Sequence, residues 1–170
     1  MKKEIKERGI IMSCYTSFFI RRGEDFIPIG TYSRNSAIAR AFSENHFSVP
    51  WEKISPLTKK DISNVIDGIV EMKDYDNQTI AKYEKRIEEI KKMEASLSER
   101  LEMIDEYESY IKEVREDLEE WEHAHSYLVF LDDIIDEIKY SEYEKDKGYD
   151  ADNYIYFGLE IGSPTVNDIV

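Results

Sequence analysis

The fold is set by residues 58–92, which read TKKDISNVIDGIVEMKDYDNQTIAKYEKRIEEIKK. Most positions of one stripe in this segment are apolar or aromatic and recur at alternating intervals of four and three residues, the heptad spacing of a helix that packs against another helix. The stripe consists of Ile62, Ile66, Ile69, Lys73, Asp76, Ile80, Tyr83, Ile87 and Ile90. Lys73 and Asp76 interrupt it, so the pattern allows one continuous helix or two helices broken near residues 74–77, and we favour the continuous helix.

A second helix follows after a short link. Ser96 and Glu99 have the spacing of a capping box, in which the serine caps the helix and the glutamate reaches back to the serine N–H. The predicted apolar seam of this helix consists of Leu97, Leu101, Ile104, Tyr107, Ile111, Val114, Leu118, Trp121, Leu128, Leu131, Ile135 and Ile138. Because only a few residues join the two helices, they are antiparallel neighbours, and residues 58–146 form a long helical hairpin, or coiled coil.

The residues on either side of the hairpin predict a small antiparallel sheet. Residues 13–21 alternate between two faces, residues 22–25 supply a turn, and residues 26–32 resume the strand pattern. Pro28 cannot donate a ladder hydrogen bond, which places the second strand at an edge or at a bulge. Residues 154–161 predict a third strand that joins the first two. The fold class is therefore α+β, with about three strands, two of them N-terminal and one C-terminal.

These elements divide the chain into four segments. Residues 1–11 are charged, have no apolar period and precede a second methionine, so we expect a leader that is not native and a start at Met12. Residues 12–57 supply the strand–strand–helix half of an α/β head and end in an irregular connector. The helical hairpin follows, and residues 147–170 complete the head with the last strand. The tail after that strand is predicted to be loosely ordered.

The charge of the chain is concentrated in one segment. The formal net charge is −14, and residues 99–146 hold 18 acidic and five basic side chains. Such a field repels nucleic acid and anionic membranes and attracts a basic protein surface. A face that only keeps a long helix soluble is the alternative interpretation. No window has the about 20 apolar residues of a membrane-spanning helix, and the single cysteine, Cys14, excludes an internal disulfide, so we expect a cytoplasmic protein.

Polar positions of the second helix predict a partner-binding face. The face consists of Glu108, Tyr110, Glu113, Glu116, Glu119, Glu120 and Glu122. Tyr110 is included because it lies off the apolar seam and tyrosine is favoured at interfaces. The predicted function is to bind a basic protein surface, without catalysis and without a cofactor. The alternative is a structural dimer, in which two hairpins pair through leftover apolar seam.

An enzymatic alternative rests on paired carboxylates. Glu116 and Glu119, followed by Asp133 and Asp136, resemble the ExxE…ExxD spacing with which all-helical nucleotide pyrophosphohydrolases hold magnesium against a triphosphate. Asp133 stands where that family has a glutamate. Crowded acidic residues also produce such spacings by chance, and no cluster of Lys or Arg is ready for phosphates. The sequence therefore predicts no catalytic residue, and a metal site only if this resemblance holds.

A stretch near the N-terminus resembles small uncharacterised accessory proteins of bacteriophages. It comprises residues 17–39, SFFIRRGEDFIPIGTYSRNSAIA, with the helical hairpin behind them. The resemblance covers most of the chain and points to no named family. It implies action in the cytoplasm of a bacterial host, where small acidic phage proteins often bind and inhibit host enzymes or defence systems.

Overall fold

The computed structural model of the protein describes residues 15–45, 47, 49–140 and 154–170. Its elements are strand β1 (Tyr15–Arg22), strand β2 (Asp25–Ser33), helix α1 (Ala37–Glu44), strand β3 (Ile54–Pro56), helix α2 (Lys59–Lys91), helix α3 (Leu97–Tyr140), strand β4 (Ile155–Leu159) and a 3₁₀ turn (Val166–Asp168). The fold is α+β, as predicted, with the strands in the order β2-β1-β4-β3 in one antiparallel sheet. The predicted leader, Cys14 and residues 141–153, which precede β4, lie outside the described residues.

The sheet has one strand more than predicted. β1 and β2 form the predicted hairpin, and β4 pairs with β1 as the predicted third strand. β3, in the predicted irregular connector, pairs with the other side of β4. A strand of three residues that ends in Pro56 is too short to show a period, which is why the sequence pattern missed it. Pro28 lies in the edge strand β2, beside a bulge opposite Phe18 and Phe19, so both predicted settings of this proline are confirmed.

The two long helices form the predicted hairpin. α2 is one continuous helix of 33 residues, which confirms the continuous alternative. Thr58 and Asp61 form a capping box at its start: Thr58 Oγ1 accepts from the Asp61 N–H at 3.1 Å, and the Asp61 carboxylate accepts from the Thr58 N–H at 3.0 Å. α3 has 44 residues and starts after Ser96, whose Oγ accepts from the Glu99 N–H at 3.2 Å. Among the described helices, none is both long enough and apolar enough to span a membrane.

The main core lies between the sheet and the helices. It joins Phe18 and Phe157 of the sheet to Phe42 of α1 and to Leu128 and Leu131 of α3, all of them buried. The Phe18 ring lies 5.5 Å from the Phe42 ring and 5.6 Å from the Phe157 ring, measured between centroids. The later part of α3 therefore anchors the hairpin on the head, and the hairpin turn lies at the far end of the two helices.

The opposite face of the sheet is covered by the C-terminal residues. Phe19, Ile54 and Tyr156 form a second buried cluster, and Ile169 packs against it. Ile169 also makes a parallel bridge with Ile54, and the Val170 N–H donates to the Ile54 carbonyl at 2.9 Å. The prediction of a loosely ordered tail is therefore wrong. The apolar residues of the tail pack on the second face of the sheet, and the sequence pattern did not reveal that this face is free to receive them.

Candidate protein-interaction surface

The predicted partner-binding residues lie on the solvent side of α3. Exposed side chains are found at Glu108, Tyr110, Glu113, Glu116, Glu119, Glu120 and Glu122. Residues three, four or seven apart lie on the same side of a helix, and steps of this length link Glu113, Glu116, Glu119 and Glu120. Glu108 lies on that side as well, eleven residues or about three turns before Glu119. We call these five residues the acidic face, which consists of Glu108, Glu113, Glu116, Glu119 and Glu120. The opposite side of α3 packs on α2 and on the head.

The two helices of the hairpin differ sharply in charge. α3 holds 15 acidic and four basic side chains, whereas α2 holds eight acidic and seven basic ones. Basic side chains of α2 pair with neighbours on the same helix, as in Arg86 with Glu89 at 3.2 Å and Lys91 with Glu88 at 2.8 Å. The acidic face makes no ion pair with any residue that the structure describes. Lys112, four residues from both Glu108 and Glu116, and Lys91 of α2, whose pKa is raised in part by attraction to Glu108, offset only part of the negative charge of this face.

Glu122 differs from the acidic face because it has a partner inside the hairpin. Its carboxylate forms a salt bridge with Lys73 of α2. Hydrogen bonding and attraction from Lys73 lower the pKa of Glu122. Lys73 is one of the two polar residues that interrupt the seam of α2, and Glu122 neutralises its charge at the contact between the two helices. Glu122 therefore stabilises the hairpin itself.

Tyr110 lies at the border between the acidic face and the helix seam. Its hydroxyl donates to Glu106 at 2.6 Å, and this hydrogen bond is the main cause of a raised Tyr110 pKa. Its ring lies 5.7 Å from that of Tyr83 on α2 and 5.8 Å from that of Tyr107, between centroids. These contacts hold the ring in place, and 38% of the residue stays exposed. Tyr110 can therefore offer a pre-ordered aromatic edge to a partner.

The second polar interruption, Asp76, belongs to a cluster that joins three helices. Arg40 of α1 stacks over the Trp121 ring of α3, with its guanidinium carbon 4.9 Å from the ring centroid. Burial raises the pKa of Asp76 and repulsion from Asp117 adds to the rise, while attraction from Arg40 and the nearby Trp121 side chain opposes it. The sequence marked Asp76 as a break in the seam and gave no sign of these partners, because all of them come from other helices.

One predicted part of the seam is wrong. Leu97 and Leu101 are 65% and 51% exposed, although the sequence placed both against α2. The seam instead begins at the half-buried Arg100 and continues through Ile104 and Tyr107. The sequence held a signal for this register, since the alternating spacing of Ile104 and the later seam residues leads back to position 100.

The four carboxylates of the enzymatic alternative do not meet in one place. Glu116 and Asp133 lie on one uninterrupted helix, 17 residues and about 25 Å apart. Asp136 forms a salt bridge with Lys59, and Asp132 lies 3.4 Å from the same Nζ atom. Within the described residues, no group of three or more His, Cys, Asp or Glu side chains could hold a metal ion. The resemblance to pyrophosphohydrolases is therefore one of spacing along the chain, without the matching arrangement in space.

The chain is thus an α+β protein with a charge-segregated helical hairpin mounted on a small sheet. Comparisons with protein-family models, with curated proteins and with solved structures found no match.

Proposed function

We propose that the protein is a non-enzymatic interaction module that binds a basic protein surface through the acidic face of α3. One observation carries this proposal: five exposed glutamates on one side of a helix have no ion-pair partner among the described residues. Exposed charges of one sign raise the rate of association with an oppositely charged surface and select against like-charged ones. The helix presents these charges on a regular backbone, so little order has to be gained on binding.

The class of partner follows from the same charge. A surface rich in Lys and Arg is typical of proteins that bind nucleic acid, and the acidic face would compete with nucleic acid for such a surface. The sequence resemblance to phage accessory proteins supports a host or defence protein in the bacterial cytoplasm as the target, with inhibition as the outcome. Direct binding of nucleic acid or of an anionic membrane is not expected, since both are repelled by the acidic face.

The test is capture of the partner from bacterial lysate with matched charge reversals. One variant reverses three glutamates of the acidic face, Glu113→Lys, Glu116→Lys and Glu120→Lys. Its control reverses three exposed acids of α2 and therefore has the same net charge: Asp67→Lys, Glu71→Lys and Asp74→Lys. Washing at about 50 mM and about 300 mM salt separates surface electrostatics from apolar binding.

The expected result is a stoichiometric basic partner that is retained at low salt by the wild type and by the α2 control. The α3 variant should lose it. Retention of the partner by the α3 variant would contradict the proposal. Equal loss of the partner from both variants would contradict it too, because binding would then depend on the net charge of the protein and not on the acidic face.

The dimer remains an alternative prediction, and the fold limits the apolar surface that a dimer could use. Most of the seam that would pair two hairpins is already buried within one chain, as at Ile69, Ile80, Ile87 and Ile90. A dimer would have to use the apolar residues left outside. Light scattering decides between the two forms, and a monomer at all concentrations would exclude this alternative.

The hydrolase also remains an alternative prediction. Release of phosphate or pyrophosphate from a panel of nucleotides in the presence of magnesium would support it. Because the paired carboxylates are far apart, such activity would have to use other residues or a second chain.

A further inference from the structure

Two leucines at the hairpin turn have no packing role that matches their apolar character. Leu97 and Leu101 are one helical turn apart on α3, and 65% and 51% of their surface is exposed. Met93, in the turn between the helices, is 37% exposed. We call these three residues the apolar tip. Burying a leucine side chain is worth about 2 kcal/mol, and the folded chain leaves most of that unused here.

Arg100 explains why the leucines face outward. It occupies the seam position, and its Nη1 donates to the carbonyl of Lys91 at 3.1 Å. That carbonyl belongs to the last turn of α2, where helical partners are missing, so Arg100 stabilises the end of the neighbouring helix. With the arginine turned inward, the helix period rotates Leu97 and Leu101 towards solvent. Arg100 thus provides a hydrogen bond to the end of α2, and its place in the seam leaves Leu97 and Leu101 exposed to solvent.

The apolar tip is continuous with the acidic face. From Leu97 to Leu101 is a step of four residues, and from Leu101 to Glu108 a step of seven, so the three side chains lie along one stripe of α3. Exposed acids border the stripe on one side at Glu102 and Asp105, and Lys91 of α2 lies close enough to Glu108 to have its pKa raised by it. A single surface therefore passes from apolar side chains at the turn to carboxylates further along the helix.

We propose that the apolar tip is the anchor of the partner-binding surface, and that the partner presents a basic amphipathic helix. Its apolar side chains would lie on the tip, and its Lys and Arg side chains would meet Glu102, Asp105 and the acidic face. This inference rests on the proposed function and adds an apolar component to it. It therefore predicts a partner that is not merely basic, as a nucleic-acid-binding surface can be, but basic with exposed apolar residues.

A second copy of the chain fits the apolar tip less well. Two tips facing each other would bring their surrounding carboxylates together, and like charges oppose association. Three side chains also fall far short of the about 800 Å² per partner that a stable interface needs. A basic helix can cover the tip and the acidic face together, which supplies both the missing area and the opposite charge.

The test uses two labelled peptides of about 25 residues, because a helix of that length spans about 37 Å and can reach from Leu97 to Glu120. The first is an amphipathic helix of Leu and Lys, and the second has the same lysines with every Leu replaced by Gln. Fluorescence anisotropy measures their binding to three forms of the full chain: wild type, the Leu97→Gln/Leu101→Gln variant and a Val129→Gln control. Val129 is 42% exposed on the same helix and lies away from the tip.

The Leu/Lys peptide should bind the wild type about tenfold more tightly than the Gln/Lys peptide, since two half-exposed leucines become covered. The Leu97→Gln/Leu101→Gln variant should bind both peptides equally, and the Val129→Gln control should behave as the wild type. Equal binding of both peptides to the wild type would overturn the apolar anchor and leave the acidic face standing. If the Leu97→Gln/Leu101→Gln variant still prefers the Leu/Lys peptide as strongly as the wild type does, the apolar anchor is likewise overturned. If the wild type binds neither peptide, both proposals are overturned.

Discussion

Replacing Tyr127 by Phe should stabilise the protein, because the hydroxyl of this tyrosine is buried without a hydrogen-bond partner among the described residues. The Tyr127 ring packs in the main core, 5.3 Å from the Phe18 ring and 5.1 Å from the Tyr32 ring between centroids. Its hydroxyl oxygen is shielded from solvent and has no hydrogen-bond partner among the described residues. The same burial raises the pKa of Tyr127 far above its ordinary value of 10.0.

The expected gain is about 1 kcal/mol in the free energy of unfolding. Burying an unpartnered hydroxyl costs about 1–3 kcal/mol, and the void left by removing one oxygen offsets about 0.3 kcal/mol of that. For a chain of this size, 1 kcal/mol corresponds to a rise in Tm of about 2–4 °C. Urea unfolding followed by circular dichroism measures the difference, with unchanged slope as the check that the two unfolded states are alike.

Gly30 provides an internal control for this reasoning. A Cβ atom added at Gly30 would overlap the Tyr127 hydroxyl and would lie 3.0 Å from its Cζ and 3.1 Å from a ring atom of Tyr32. Gly30→Ala should therefore cost about 1–3 kcal/mol in the wild type and about 1 kcal/mol less in the Tyr127→Phe background. A less stable Tyr127→Phe protein would show that the hydroxyl has a partner, and an equal cost of Gly30→Ala in both backgrounds would show that it does not lie over Gly30.

Three further predictions concern the helices. Burial holds the pKa of Asp76 above its ordinary value of 3.8, so between the two pKa values the folded chain keeps a proton that the unfolded chain has lost. The free energy of unfolding should therefore fall as the pH rises through this range. Asp76→Asn should remove this part of the pH dependence, which urea unfolding at several pH values measures. Thr58→Ala should lower stability by about 1 kcal/mol through loss of the cap of α2, whereas Thr58→Ser should restore it. Neutralising Glu113, Glu116 and Glu120 to Gln should raise stability by about 1 kcal/mol at low salt and by less at high salt, while binding to a basic partner is lost; unchanged stability would mean that repulsion along the face is negligible.

Long periodic segments were the predictable part of this fold. The stripe from Ile62 to Ile90 predicted α2, and the distance between the helices along the chain predicted the hairpin. The alternation around Phe18 predicted β1. In each case many residues repeat one signal, so a single polar interruption such as Lys73 or Asp76 did not hide it.

The parts that failed depend on contacts between distant segments. β3 became a strand because β4 offers it a free edge, and Ile169 is ordered because Ile54 lies beside it. Arg100 took a seam position because the end of α2 needs a hydrogen-bond donor there. No local pattern contains these partners, since each is set by the folded arrangement of the whole chain.

The charge segregation of the hairpin argues against solubility as the whole reason for the acidic face. Charges of both signs, mixed along both helices, would keep the protein equally soluble and would add favourable pairs, as on α2. On α3 the spacing sets Glu116 three or four residues from Glu113, Glu119 and Glu120. Each such like-charged pair costs a few tenths of a kcal/mol, and Lys112, four residues from both Glu108 and Glu116, offsets only part of this cost. A destabilising arrangement that borders directly on exposed leucines is what a surface for a basic amphipathic partner requires, and it is not what a merely solvated helix needs.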